Sequence, residues 1–241
     1  RLFYKNYKKI YGKKIFNSVL EHFLFKYSYT PLNIKYRLFN KDFLNYIDRD
    51  SGIFNFLDDL FCKTENLSTI DKYMWIFIKV HLPGLLMRLD NSTMAASVEG
   101  RVPFLDHYLV EYLCTVPGDV KIKWKSEFHK GLAFLYNSSQ ISEKYDIPKF
   151  LLKECATDFL PKEVVYRKKM GFPVPLKNWF SEKNLAFLKE ILFSNQSKTN
   201  DIFNKKNLKK FIERFEKNCS QNTAITLWMI LNIEIWLNQY F

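Results

Sequence analysis

The sequence predicts a predominantly α-helical fold, on three observations. Apolar residues recur at helical spacing in most segments, beginning with Ile15 to Tyr27. Hydrophobic residues make up 47% of the chain and aromatic residues 17%, which favours a sizeable core and argues against disorder. Glycine occurs only seven times, which leaves little room for glycine-rich loops and tight β turns. Because no repeat or linker interrupts the pattern, we expect a single helical unit over residues 1–241.

Local signals predict where several helices begin and end. Ser68 and Asp71 form a Ser-x-x-Asp capping pattern ahead of the apolar run 73–90. Pro83 lies inside that run, which is therefore either one kinked helix or two helices joined near His81.

Further along the chain, Asp106 is the predicted N-cap of a helix that starts at His107. Pro148 is predicted to occupy the first turn of another helix. The last helix, from about Thr223, is apolar on almost every side, so we expect it to be central and buried.

The formal net charge of +12 suggests phosphorylated ligands, anionic membranes or nucleic acid as partners, or else a lysine-rich solvated surface. No nucleic-acid-binding motif accompanies the charge, so we expect no nucleic-acid partner. The longest apolar run is too short to span a bilayer, so we expect no membrane partner. The four cysteines have no metal-ligand spacing, which predicts reduced thiols in a cytoplasmic protein and no metal site in this chain.

Five charged residues interrupt the apolar sequence between residues 88 and 106. They are Arg88, Asp90, Glu99, Arg101 and Asp106. Buried charges need partners, so these residues predict either a structural network, with Arg88 bonded to Glu99 or Arg101 to Asp106, or a polar cleft that orients a ligand. Within the turn that follows, Pro103 is expected to fix φ, and Phe104 and Leu105 are expected to anchor the turn.

The segment Tyr166 to Trp179, "YRKKMGFPVPLKNW", places three consecutive cations before a glycine and two prolines. It is an exposed basic loop, a nucleic-acid clamp or a loop that presents one lysine to a phosphate. Gly171 and the prolines favour a rigid backbone beside the cations, and rigid placement is what a catalytic lysine needs.

Three ordered blocks resemble the glutamine-hydrolysing asparagine synthetases. The first is "LPGLLMRLDNSTMAASVEGRVPFLDHYLVEYL", the second is "IPKFLLKECATDFLPKEVVYRKKMGFPVPLKNWF" and the third is "LWMILNIEIWLNQYF". The likeness is strongest over 82–241 and corresponds to the helical half of the family's α/β nucleotide-binding synthetase domain, in the C-terminal part of the enzyme.

The resemblance implies an enzyme that uses ATP and Mg²⁺ to adenylate the side chain of aspartate, after which ammonia from glutamine displaces AMP. It implies that Lys169 is the catalytic residue, and that Arg167, Glu99 and Arg101 bind the substrate or intermediate. The motif positions expected to be structural are Arg88, Asp90, Pro103, Phe104, Asp106 and Gly171.

Other family features are missing from these 241 residues. The Ser-Gly-Gly-x-Asp-Ser pyrophosphate loop and the N-terminal glutaminase cysteine do not occur. We therefore expect the chain to be a piece of a longer synthetase that is inactive alone and needs the N-terminal half of its domain as a partner. The alternatives are a relative that adenylates another carboxylate, such as a β-lactam synthetase-like enzyme, or a non-catalytic helical module.

Overall fold

A computed structural model describes residues 5, 16–136, 138–169, 174–180 and 182–241 and confirms that the fold is predominantly helical. The helices in the first half of the described chain are α1 (Val19–Tyr27), α2 (Leu32–Leu38), α3 (Lys41–Tyr46), α4 (Ser51–Cys62), α5 (Thr69–Val80), α6 (Leu82–Met94), α7 (His107–Thr115) and α8 (Gly118–Lys121). The helices in the second half are α9 (Glu127–Leu132), α10 (Ser138–Ile141), α11 (Phe150–Ala156), α12 (Lys162–Val165), α13 (Leu176–Trp179), α14 (Glu182–Phe193), α15 (Lys205–Lys217) and α16 (Gln221–Tyr240).

Two short strands, β1 (Lys123–Trp124) and β2 (Asp146–Ile147), form an antiparallel pair within the described chain. Lys123 lies opposite Ile147, and Trp124 lies opposite Asp146. This pair brings the loop after β1 beside the turn before β2, and the candidate site is built at that junction.

The chain divides into two compact units. The first unit comprises 1–19 and 59–171, and the second comprises 20–58 and 172–241. The chain passes from the second unit to the first within α4. That 1–241 folds as one domain stays a prediction.

The first unit packs α5 against α6 and α8 around Ile76, which is fully buried. A Cβ atom on Gly118 would lie 2.9 Å from the side chain of Ile70, so the close approach of α8 to α5 requires glycine at this position. The ammonium group of Lys121 lies 3.3 Å from a carboxylate oxygen of Asp71 and joins the same two helices.

The second unit has a core formed by α13 to α16 together with the end of α2. Its fully or nearly fully buried members are Leu38, Leu188, Leu192, Phe203, Leu208, Ile212, Phe215, Ala224 and Leu227. The apolar stripe of α15 supplies Leu208, Ile212 and Phe215, as its helical spacing predicts.

Several local predictions are confirmed. The Ser68 hydroxyl accepts a hydrogen bond from the backbone N–H of Asp71, and Asp106 accepts one from the N–H of Leu109, so both residues are N-caps. The run around Pro83 is two helices, α5 and α6, that meet at His81.

Two local predictions are wrong. α11 begins at Phe150 because Lys149 adopts a left-handed conformation with φ of 56°, so Pro148 lies outside that helix. α16 is buried on one side only, since Trp236 and other apolar residues on its opposite side are exposed. No described helix is long and apolar enough to cross a membrane.

Candidate functional site

A cleft of about 730 Å³ lies in the first unit, between the end of β1 and the segment that follows α12. Five cationic residues line it, counted over the described chain: Lys125, Lys144, Lys153, Arg167 and Lys168. Two carboxylates, those of Glu143 and Asp146, also line it. We call this group of residues the basic cleft.

The β1–β2 junction forms one wall of the basic cleft. The Lys125 ammonium donates hydrogen bonds to the backbone carbonyls of Glu143, at 2.6 Å, and Lys144, at 3.2 Å. The Asp146 carboxylate accepts a hydrogen bond from the N–H of Glu143 at 2.7 Å. Glu143 itself has a φ of 64°, which is unusual for a residue with a side chain, so the turn is held in a strained backbone conformation. Lys125 and Asp146 are therefore engaged in building the wall.

Two stacked tyrosines and a lysine that lies over them form another part of the basic cleft and its surroundings. The rings of Tyr136 and Tyr145 are stacked with centroids 5.1 Å apart, and the Lys144 ammonium lies 5.1 Å from the Tyr145 centroid. The hydrogen bond that the two tyrosines share raises the pKa of Tyr136 and lowers the pKa of Tyr145. Because it packs over these rings, Lys144 is held near the cleft by cation–π attraction.

The segment Tyr166 to Lys169 is anchored at both ends. The Tyr166 hydroxyl donates a 2.5 Å hydrogen bond to the Glu154 carboxylate on α11, and this bond raises the pKa of Tyr166. The backbone N–H of Lys169 donates a 3.1 Å hydrogen bond to the Glu143 carboxylate. Arg167 and Lys168 lie between the two anchors and line the basic cleft.

The charge of the basic cleft favours an anionic ligand. Of its two carboxylates, Glu143 accepts the N–H of Lys169 and Asp146 accepts the N–H of Glu143. Neither carboxylate forms an ion pair within 4.0 Å with a cation of the described chain. Cations that line a concave site without ion-pair partners attract phosphate or carboxylate groups.

The predicted residues of the loop after α12 fall near this cleft. Arg167 lines it, as does Lys168, while Lys169 adjoins it and is tied to its wall through Glu143. Gly171, the expected rigid support, lies outside the described residues. Within the described part of the loop, Glu143 and Glu154 act as supports. Neither carries a sequence signal, because the anchored partners are 26 and 12 residues away along the chain.

Glu99 and Arg101 do not line the basic cleft but pair with each other. Their side chains are 2.8 Å apart and are 69% and 82% exposed. The expected pairs, Arg88 with Glu99 or Arg101 with Asp106, are wrong: Arg88 donates to the backbone carbonyl of Gly84, and Asp106 caps α7. The premise that these charges are buried is also wrong, since all five charged residues are exposed.

The other motif residues are exposed as well. Pro103 opens a 3₁₀ turn over Pro103–Leu105, as a proline that fixes the backbone is expected to do. Phe104 is 65% exposed, so it does not anchor the turn in this chain. Asp90 is exposed on α6, and its backbone carbonyl accepts a hydrogen bond from the Thr93 hydroxyl.

The described residues contain no group of three His, Cys, Asp or Glu side chains that is arranged to hold a metal ion. The four cysteines are free and exposed. That their thiols are reduced stays a prediction.

The helical scaffold thus carries an anchored cationic loop beside the basic cleft, an arrangement that is suited to anionic groups. The chain belongs to the asparagine synthase family, whose model matches residues 16–238. The family resemblance predicted from the three sequence blocks is thereby confirmed.

Individual relatives agree with the family. Glutamine-hydrolyzing asparagine synthetase 1 of Bacillus subtilis (strain 168) is 27% identical over 177 residues, which cover 73% of this chain and 24% of that protein. Asparagine synthetase 3 of the same organism is 28% identical over 132 residues, covering 55% of this chain and 18% of that protein. Amidase chry2 of Gibberella zeae is 32% identical over 107 residues, which cover 44% of this chain and 14% of that protein. No solved structure matches.

The chain therefore spans about a quarter of the length of the first of these relatives.

Proposed function

We propose that the chain is the helical part of an ATP-dependent, glutamine-hydrolysing asparagine synthetase of the cytoplasm. In the proposed reaction the aspartate side chain is adenylated, and ammonia derived from glutamine then gives asparagine. The observation that carries the proposal is the segment from Tyr166 to Lys169, which is tethered at both ends beside a cleft rich in cations.

In this proposal Lys169 is the catalytic residue, and its ammonium stabilises negative charge on the phosphates and on the adenylate intermediate. Arg167 binds the same phosphates, for which its planar guanidinium is suited. Tethering supports these roles, because a cation that is already in place needs no reorganisation when charge develops. ATP supplies the AMP group that activates the carboxylate.

A Mg²⁺ site, unlike a phosphate site, needs several oxygen ligands. Glu143 and Asp146 in the basic cleft are engaged with backbone N–H groups, and the described residues offer no metal-holding cluster. The described residues therefore do not fit a Mg²⁺ site, and we assign none of them to the metal.

Glu99 and Arg101 are proposed to bind the substrate or intermediate from a second surface. This surface, which we call the signature surface, runs from residue 82 to residue 112. Its exposed apolar side chains include Met87, Phe104, Tyr108 and Tyr112. Exposed large apolar side chains can mark an interface, and we propose that the nucleotide-binding segment of the synthetase covers them.

A second candidate is a related enzyme that adenylates a carboxylate other than that of aspartate, as β-lactam synthetase-like enzymes do. The similarity to amidase chry2 favours it, because that relative carries a different activity in its name. The signature surface would serve either enzyme, and so would the basic cleft.

The test is Lys169→Ala in the full-length protein that carries this chain. We expect the rate of asparagine formation to fall on the order of 100-fold or more, while glutamine hydrolysis continues. Lys162→Ala is the matched control, since Lys162 is exposed on α12 and does not line the basic cleft. Asparagine formation that is unchanged in Lys169→Ala would overturn the catalytic role. If the wild-type protein converts another carboxylate but not aspartate, the second candidate is correct.

A further inference from the structure

A second, smaller cleft lies in the second unit, between α2 and α15. It has a volume of about 160 Å³ and is lined by Arg37, Leu38, Asn207, Lys210, Phe211 and Arg214. We call it the α2–α15 cleft. It is too small for a drug-sized or nucleotide-sized ligand, which needs roughly 300–1,000 Å³.

The base of the α2–α15 cleft is held in place by the core and by hydrogen bonds. Leu38 and Phe211 are both buried core residues. The Asn207 side-chain amide donates a 2.7 Å hydrogen bond to the backbone carbonyl of Arg37. The N–H of Asn204 donates one of the same length to the carbonyl of Leu38. The end of α2 is thus bonded to the start of α15, which holds the backbone of Arg37 beside α15.

Of the described residues, three cations and no carboxylate line this cleft. Arg37, Lys210 and Arg214 form no ion pair within 4.0 Å with any described residue. The two acids of α15 lie elsewhere: Glu216 bonds to Lys189 at 2.6 Å, and Glu213 does not line the cleft.

The spacing of these cations leaves a repulsion that an anion would remove. Lys210 and Arg214 are four residues apart on α15, where like charges destabilise a helix. Arg37 adds a third positive charge from α2. Arginine presents a planar fork of N–H donors that matches the oxygens of a phosphate, so two arginines and a lysine can together donate several hydrogen bonds to one such group.

We propose that the α2–α15 cleft binds a single phosphate group, either as the free ion or as the phosphoryl end of a phosphomonoester. This proposal does not depend on the synthetase activity, since the cleft shares no residue with the basic cleft.

Arginine side-chain NMR on the ¹⁵N-labelled chain at pH 6 tests the proposal. Inorganic phosphate and glycerol 2-phosphate are titrated separately at constant ionic strength, and the Nε–H signals are assigned by Arg→Lys variants. We expect the signals of Arg37 and Arg214 to shift saturably with one shared Kd. The Arg167 signal reports the basic cleft separately, so phosphate binding there is not mistaken for binding at α15.

Lys210→Gln should raise that Kd by about fivefold, because one of three cations is lost. Lys205→Gln is the matched control, because it removes the same charge from an exposed residue of the same helix that does not line the cleft. The Kd of this variant should stay within about twofold of the wild-type value. Saturable shifts with both ligands identify a site that binds phosphomonoesters as well as free phosphate. Saturable shifts with inorganic phosphate alone identify a site for the free ion. Absence of saturable shifts, or equal weakening by Lys205→Gln and Lys210→Gln, would overturn the proposal.

Discussion

Glu99 and Glu234 both interrupt apolar sequence, yet the two units treat them in opposite ways. Glu99, in the first unit, is 69% exposed and bonds to Arg101, which is also largely exposed. Glu234, in the second unit, is 1% exposed on α16. It accepts five hydrogen bonds of 2.6–2.9 Å from described groups: the hydroxyl of Ser197, the N–H of Lys198, the N–H and hydroxyl of Thr199, and the amide of Asn238.

The comparison shows that a carboxylate in apolar sequence does not need a cation. Burial of a charge is costly unless the charge is well hydrogen-bonded. The loop 197–199 supplies N–H and hydroxyl donors to Glu234, and no described cation lies within 4.0 Å of it. Glu99 avoids the cost in another way, since it stays in water.

These donors also set the protonation of Glu234. Burial by itself raises the pKa of this carboxyl, but the hydrogen bonds from Thr199, Ser197, the Lys198 N–H and Asn238 outweigh it. The pKa therefore lies below its ordinary value of 4.5. Glu234 is thus charged in the folded protein at neutral pH and ties α16 to the loop that precedes α15.

The largest expected difference between the two residues is in stability. Glu234→Ala should lower the free energy of unfolding by roughly 3–5 kcal/mol, because it leaves several buried donors without an acceptor. Glu99→Ala should change it by no more than about 0.5 kcal/mol, as exposed substitutions usually do. Urea unfolding followed by tryptophan fluorescence measures both. Similar losses for the two variants would contradict the contrast.

A smaller difference is expected in the response to acid. Because the folded-state pKa of Glu234 lies below its unfolded value, its contribution is fully present above about pH 4.5 and is lost as the pH falls through the folded-state pKa. The urea midpoint of the wild-type chain should therefore fall more steeply below pH 4.5 than that of Glu234→Gln. Glu99→Gln should follow the wild type. Parallel curves for the wild type and Glu234→Gln would show that this carboxylate has no such role.

The smallest expected effect concerns the Glu99–Arg101 pair. A double-mutant cycle with Glu99→Ala and Arg101→Ala should give a coupling free energy below about 1 kcal/mol, because both side chains are largely in water. The coupling should fade in 1 M NaCl, where screening is strong. A larger coupling that survives salt would mean that the pair is shielded from solvent.

Local parts of the fold were predictable. The N-caps Ser68 and Asp106 and the buried stripe of α15 depend on residues within one or two helical turns of each other. The family was predictable too, because three blocks occur in the right order. For the candidate site, the sequence pointed to the loop that contains Arg167 and Lys169.

The supports of that loop were not predictable. The bond from the Lys169 N–H to Glu143 and the bonds from residues 197–199 to Glu234 join groups that are 26 to 37 residues apart. No rule of residue spacing predicts such contacts, because they depend on how the tertiary fold brings distant segments together. The same reason explains why the exposure of Glu99, Arg101 and Phe104 was misjudged.

Helical periodicity, caps and family membership are thus properties of neighbouring residues and of their order, and the amino-acid order alone was enough to establish them. Which carboxylates hold a loop, which charges reach water and which cations gather around a cleft were decided by the folded chain. The physical reason is that desolvation and hydrogen bonding act between whatever groups the packing brings together, however far apart they are in the sequence.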